Sequence, residues 1–317
     1  MRTIDWIDEA IVLVDQTRLP GDLTYLRITT VAELIDAIKR LAVRGAPALG
    51  VAGALGVALA ARTGEPIGPL REARPTAVNL AWGVDQAAAA PDPLARALRI
   101  RDEDIAACLA MGVLGADLLA GHGATRVMTV CNTGGLAAVE RGTALGVIQT
   151  MHERGTLREA LALETRPLLQ GARLTAWELA RMGAPHRLIV DSAGPFLLAR
   201  GAADAVLIGA DRIAANGDTA NKIGSYALAL GARRAGVPFL VIAPETTIDL
   251  ATPGGDVITI EDRGPAEVLS IGGVRLAPEG AGALNPAFDV TPADLITAIV
   301  TDRRVIRLDR GETPDHA

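Results

Sequence analysis

The sequence predicts an α/β protein: a C-terminal doubly wound parallel sheet preceded by a smaller, mostly helical α+β domain with a short β-hairpin. Three observations predict it. The chain has 317 residues, half of them apolar and 21% charged, enough for one large domain plus a smaller one. From residue 122 onward, short β-branched runs alternate with helical patterns, the signature of parallel strands covered on both faces. Before residue 121 the apolar positions recur mostly at helical spacing.

In chain order, two strands at 11–14 and 23–28 flank the Pro20-Gly21 turn. The segment 31–42 is an amphipathic helix with Leu34, Ile35, Ile38 and Leu41 on one face. Helices at 46–61, 76–90 and about 94–119 follow, and Gly121-His122-Gly123-Ala124 marks the boundary. The domains expected are thus 1–121 and 122–317. Strands at 127–130, 161–163, 188–190, 205–208 and 239–242 then alternate with helices at 136–153, 172–182, 196–199 and 223–235. Together they make a Rossmann-like architecture.

Composition excludes several classes. The net charge is −6, no basic run occurs, and only eight residues are aromatic, so a nucleic-acid groove is not expected. The Ala- and Gly-rich stretch 46–61 reads as too short and too weakly apolar for a bilayer, so no membrane association is expected. Met1-Arg2 leads into an acidic segment without an apolar signal region. Cys108 and Cys131 do not suggest a disulfide framework, and a cytoplasmic, reducing location fits. There is no P-loop and no Gly-x-Gly-x-x-Gly turn after a strand, and four scattered histidines offer no zinc spacing.

Ligands of open α/β sheets bind beyond the carboxyl ends of the strands. Those ends read Cys131-Asn132-Thr133, Glu164-Thr165-Arg166, Asp191-Ser192, Asp211-Arg212 and Pro244-Glu245-Thr246. Five polar ends in succession point to one crevice. Cys131 suits a small buried hydrophobe less well than Cys108 does, because a polar Gly-rich turn begins at the next residue. Asp211 reads equally as a turn cap or partner of Arg212, and as a general base raised by burial. Lys222, one of only two lysines, stands where a helix should begin; a cation there opposes the helix dipole unless an anion is near, which favours ligand contact. Arg44-Gly45-Ala46-Pro47 and Arg74-Pro75-Thr76 each set an Arg before a helix with Pro near its start. One such Arg pairs as readily with a carboxylate; two favour a phosphate held by backbone N–H groups and guanidinium together.

Taken together, these segments closely resemble the methylthioribose-1-phosphate isomerase family. The matching stretches are Asp15-Gln16-Thr17-Arg18-Leu19-Pro20, Val43-Arg44-Gly45-Ala46-Pro47-Ala48-Leu49-Gly50, Arg74-Pro75-Thr76-Ala77-Val78-Asn79-Leu80 and Cys131-Asn132-Thr133-Gly134. They continue through Glu164-Thr165-Arg166-Pro167-Leu168-Leu169-Gln170-Gly171, Gly209-Ala210-Asp211-Arg212-Ile213, Asn216-Gly217-Asp218, Asn221-Lys222-Ile223-Gly224 and Asn285-Pro286-Ala287-Phe288-Asp289-Val290-Thr291-Pro292. The resemblance implies a cofactor-free, metal-free isomerase of methionine salvage, usually a homodimer, acting on a small phosphorylated sugar. It implies Cys131 and Asp211 as the catalytic pair, and Arg44, Gly45, Ala46, Arg74, Gln170, Asn221 and Lys222 as substrate-binding positions. The same superfamily contains ribose-1,5-bisphosphate isomerases and regulatory subunits of the translation-initiation exchange factor, which lack the full catalytic set. Two departures stand out. Val130 occupies a position where many members have His, and Asp191-Ser192-Ala193-Gly194 replaces the common Asp-Asn followed by small or Met residues. The second lies at a strand end and makes a related 5-deoxypentose 1-phosphate a candidate substrate. Because Val130 supplies no imidazolium beside the thiol, Cys131 is expected to act as an acid rather than as a covalent nucleophile.

Overall fold

The computed structural model describes residues 1–74 and 78–316. The chain divides into two compact units that interleave: residues 1–110 with 132–146, and residues 111–131 with 147–317. A single cut at 121/122 would instead leave 132–146 with the second part. That segment belongs to the first unit because its backbone is bound there. Thr3 donates through its N–H to Val139 O at 2.9 Å, and Gln16 Nε2 donates to Leu136 O at 2.7 Å.

The first unit opens with β1 (Ile4–Ile7), β2 (Ala10–Val14) and β3 (Tyr25–Ile28), an antiparallel sheet in that order. β2 and β3 match the expected hairpin, and β1 is additional. Asp8 and Glu9 join β1 to β2 with φ of 46° and 62°, the two left-handed residues that a two-residue hairpin turn needs to match strand twist. α1 (Val31–Lys39) starts at a capping box: Thr30 Oγ1 accepts from Glu33 N–H, and Glu33 Oε2 accepts from Thr30 N–H. Its buried face is Val31, Leu34, Ala37 and Ile38.

α2 (Ala46–Thr63), α3 (Gly68–Arg71) and α4 (Val78–Ala88) follow, then the long α5 (Pro93–Gly121). The helix expected at 76–90 is α4; its expected start at Thr76, with Pro75 and Ala77, lies outside the described residues. α2 runs two residues further than expected, and its 18 residues correct the reading of 46–61 as too short for a bilayer. By length and composition alone α2 and α5 could each cross one. In the fold α2 is a core helix, 72% buried. Its small residues allow close contact with α4: a Cβ on Gly83 would lie 2.0 Å from Gly50 O, so no larger residue fits.

Asp104 stands on α5. It accepts from the N–H of Val139, its Oδ2 has no partner, and burial pushes its carboxyl up to about 7 from an ordinary 3.8. A folded-state value above the unfolded one means the neutral acid costs nothing below pH 3.8, and stability is lost as pH rises through 7. Asp104→Asn is therefore expected to raise unfolding free energy at pH 8 by about 1–3 kcal/mol, with little change at pH 4. Urea melts at both pH values check it; an equal effect at both would remove the ionisation argument.

The second unit holds the seven-stranded sheet. In chain order come β4 (Arg126–Thr129), α6 (Ala144–Glu153, which begins in the first unit), β5 (Glu159–Leu163), α7 (Ala176–Arg181), β6 (His186–Ile189), α8 (Ala193–Ala199) and β7 (Ala205–Ile208). β8 (Arg212–Ala214), β9 (Thr219–Lys222), α9 (Ser225–Ala235), β10 (Phe239–Ile242) and β11 (Ile248–Asp249) follow. The chain ends through α10 (Ala266–Leu269), β12 (Ser270–Ile271), β13 (Val274–Arg275), β14 (Phe288–Thr291), β15 (Ala298–Val300) and β16 (Val305–Ile306).

Among the described residues the large sheet has the order β16-β15-β10-β7-β4-β5-β6, parallel except for β16. Val127, Met128, Leu161, Val206, Leu207, Ile208 and Val241 are at most 2% exposed, which is why these strands read as continuous apolar runs. From β4 the chain winds to one side through β5 and β6, then returns to β7 on the other side and continues through β10 and β15. The doubly wound expectation is met, with its switch point between β4 and β7.

Two differences from expectation matter for the site. The helix expected at 136–153 begins only at Ala144. Thr143 N–H donates to Thr133 O at 2.8 Å, and Gly142, with φ 83°, has no room for a Cβ, which would lie 2.1 Å from Thr133 O. The second is a separate sheet, β11-β8-β9-β14, beyond the strands expected from sequence.

Candidate active site

β4 and β7 are hydrogen-bonded neighbours, with Thr129 opposite Leu207. Cys131 lies just beyond β4, and Asp211 just beyond β7. Both therefore leave the sheet at its switch point, where diverging connections open a crevice in doubly wound folds.

Cys108 is buried, whereas Cys131 is partly exposed, as a core filler would not be. Val130, the preceding residue, is 1% exposed and belongs to the apolar core of the sheet. Cys131 itself adopts φ 64°, a left-handed conformation that few non-glycine residues take. Its N–H donates to Thr165 Oγ1 at 2.8 Å, and its carbonyl accepts from Thr175 Oγ1 at 2.7 Å.

Asp211 is exposed, so of its two equal readings the one that rests on burial is not met. The reason is position: Gly209 and Ala210 carry the chain clear of β7 before Asp211. Its N–H donates to Ala220 O at 2.9 Å, tying it to β9. Arg212 pairs with Asp249 at 3.6 Å.

Asn221 and Lys222 close β9 rather than opening a helix. Gly224, at φ 104°, separates them from α9. Lys222 is 8% exposed, not the solvated helix-start residue its sequence position allowed. Its Nζ donates to Ala287 O at 2.9 Å and stands 4.9 Å from the centroid of the Phe288 ring. Phe288 lies opposite Lys222 in the β9–β14 pair, so pairing and side-chain contact have one cause. Asn221 Nδ2 donates to Ser225 Oγ at 2.8 Å. Opposite Asn221, Asp289 accepts from Gly224 N–H at 2.7 Å through Oδ2, while its Oδ1 has no partner. Burial raises its carboxyl to about 6 against the pull of the Gly224 and Tyr226 N–H groups and of Lys222. Gln170, 5% exposed, begins a π-turn over Gly171–Thr175, and its buried Oε1 accepts no hydrogen bond. Such an acceptor suits a ligand hydroxyl.

The second unit thus brings Cys131, Asp211, Gln170, Asn221 and Lys222 to strand ends and their connections. In the first unit Arg44 is buried and donates to Asn132 O at 3.2 Å and to Asn132 Oδ1. Gly45 (φ 98°) and Ala46 form the start of α2, and a Cβ on Gly45 would meet Ala137 O at 2.4 Å. Arg74 is half-buried, immediately before residues outside the description. Thr175 and Asp289 were not singled out as site residues by sequence reading. Thr175 carries no local signal, being one hydroxyl in a helical run, and Asp289 lies far along the chain from the lysine it faces. Among the described residues, no group of three His, Cys, Asp or Glu side chains is placed to hold a metal ion.

The strand order and the polar strand ends define a doubly wound α/β protein with its ionisable groups at the switch point. The chain belongs to the initiation factor 2 subunit family, whose sequence profile matches residues 42–307. It is similar to a methylthioribose-1-phosphate isomerase of Alkalilimnicola ehrlichii, 50% identical over 96% of this chain and 94% of the relative. A 5-deoxyribose 1-phosphate isomerase of Moorella thermoacetica is 49% identical over 96% of this chain and 93% of that one. Among solved structures, the 5-methylthioribose 1-phosphate isomerase of Pyrococcus horikoshii superposes with a TM-score of 0.89 at 41% identity, covering 96% of this chain and 92% of that one.

Proposed function

We propose that this chain is an aldose–ketose isomerase that converts 5-methylthioribose 1-phosphate to 5-methylthioribulose 1-phosphate. The observation that carries it is the pair Cys131 and Asp211 at the ends of neighbouring strands at the switch point, in a chain about half identical to isomerases of sugar 1-phosphates. The roles of these residues are part of the proposal, as are a cytoplasmic, homodimeric enzyme and a place in methionine salvage.

The chemistry follows from the substrate. Phosphate on the anomeric oxygen locks the ring, so opening to a free aldehyde is not available. A hydrogen must pass from C2 to C1 as the bond between C1 and the ring oxygen breaks. Asp211 accepts one proton from the C2 centre, and Cys131 delivers one to the departing ring oxygen. Lys222, buried and charged, faces an anionic part of the sugar phosphate, and the unpartnered Gln170 Oε1 accepts from a sugar hydroxyl. In the first unit Arg44, Gly45 and Ala46 at the head of α2, with Arg74, have the chemistry for phosphate. The Moorella thermoacetica relative supports 5-deoxyribose 1-phosphate as a second substrate, which differs only in the 5-substituent.

Phosphorus NMR of the purified protein with 5-methylthioribose 1-phosphate tests the reading. Conversion is expected without added metal, nicotinamide or nucleotide, and unchanged after EDTA treatment and desalting. Run in deuterium oxide, absence of deuterium at C1 assigns a hydride shift, and its presence an enolate route. No turnover of either sugar phosphate would leave a non-catalytic regulatory subunit as the better reading.

A further inference from the structure

We infer that Thr165 and Thr175 are positioning residues for Cys131: their hydroxyls clamp its N–H and its carbonyl and hold it in the left-handed conformation that sets where its thiol points. This rests on the catalytic role proposed for Cys131.

A left-handed non-glycine residue persists only where its surroundings impose it. Cys131 leaves β4 and with it the backbone ladder that would ordinarily satisfy its peptide groups. Both groups are taken instead by side chains from the connection after β5. Thr165 Oγ1 gives its one hydrogen to Leu163 O at 3.1 Å and accepts from Cys131 N–H at 2.8 Å, so donor and acceptor roles are both fixed. Thr175 Oγ1 donates to Cys131 O at 2.7 Å. The two threonines are 1% and 0% exposed, so water does not compete for these bonds.

The clamp is itself held. Thr165 has φ 65°, an outlier for a β-branched residue. Asp191, beyond the next strand, accepts from the N–H groups of Thr165 at 2.8 Å and Arg166 at 2.7 Å, one on each carboxylate oxygen. Thr175 ends the π-turn Gly171–Thr175, whose wider spacing displaces it from an ordinary helical position. That turn lies close against β5: a Cβ on Gly171 would be 1.6 Å from Leu163 O. Thr165 and Thr175, each fixed in this way, meet at the backbone of Cys131. An acid that must meet a ring oxygen needs such fixing, since an error near 1 Å costs on the order of 10²-fold in rate.

The test compares Thr165→Val and Thr175→Val, which keep shape and remove the hydroxyl, with Thr165→Ser and Thr175→Ser, which keep it. We measure kcat and KM for 5-methylthioribose 1-phosphate, and the pH profile of iodoacetamide labelling at Cys131 by peptide mass spectrometry. The valine variants should lose about 10–100-fold in kcat with KM changed less than about threefold, and their labelling profile should shift. The serine variants should stay near wild type in both. Valine variants with wild-type kcat and labelling, or serine variants as impaired as valine ones, overturn the proposal. If the valine variants do not fold, Asp191→Asn, at the partly exposed end of the chain of contacts, decides: an altered Cys131 labelling profile supports the clamp and an unchanged one overturns it. If wild-type protein turns over neither sugar phosphate, the functional reading falls, while the labelling profiles still decide whether the clamp holds Cys131.

Discussion

Asp211→Asn is expected to lower kcat by about 10²–10⁴-fold while the sugar phosphate still binds, the loss typical of removing a general base. Asn is nearly the same size and keeps the backbone bond from residue 211 to Ala220 O, so the turn after β7 should survive. What Asn cannot do is accept a proton from the C2 centre. Because Asp211 is exposed, the substitution should also leave the melting temperature almost unchanged, which separates a lost base from a lost fold. Phosphorus NMR gives the rate, and calorimetric titration with the substrate gives the affinity. A variant with near-wild-type kcat would return Asp211 to the role of a turn residue tied to β9.

Cys131→Gly is expected to abolish turnover without lowering stability. The thiol is the proposed proton donor, so its removal should cost about 10²–10⁴-fold in kcat. Stability should respond in the opposite sense to an ordinary truncation. At φ 64° an L-residue costs about 1–2 kcal/mol, which glycine escapes, while glycine adds about 0.5–1 kcal/mol of chain entropy to be lost on folding. The net change should lie between zero and about 1.5 kcal/mol of stabilisation. Cys131→Ala, which keeps the strained backbone and loses the thiol, should be equally inactive but no more stable than wild type. Thermal melts and initial rates on the three proteins decide it. A glycine variant destabilised by more than about 2 kcal/mol would show that the Cys131 side chain packs structurally.

The expectations for Asp211 and Lys222 show where local reading stops. Asp211 follows an apolar strand, and sequence alone left it equally a turn residue or a base raised by burial. Two small residues, Gly209 and Ala210, are enough to carry it clear. Lys222 was placed at the start of a helix, because Ile223 to Ala235 scans as one, and its charge against the helix dipole favoured ligand contact over a solvated position. It and the residues before it pair as β9 with β14, where Phe288 stands opposite it from 66 positions away, and that pairing buries the lysine against Ala287 O and the Phe288 ring. The helix expected at 136–153 failed for a related reason. Its first part is held by hydrogen bonds to Thr133 and to Thr3 and Gln16, which flank the first two strands, and these override a helical pattern.

The sequence by itself determined the α/β class, the alternation of short buried strands with helices, and the polar strand ends that carry Cys131 and Asp211. These are local properties: burial on both faces leaves a continuous apolar run, and the chain must turn polar where it leaves the sheet. Only the tertiary structure decided that β4 and β7 are neighbours and so bring those two ends together, that a second sheet holds Lys222, and that Thr165 and Thr175 grip the backbone of Cys131. Each depends on hydrogen bonds between segments tens of residues apart. Such bonds are selected by the packing of the whole unit, and no window of neighbouring residues contains both partners.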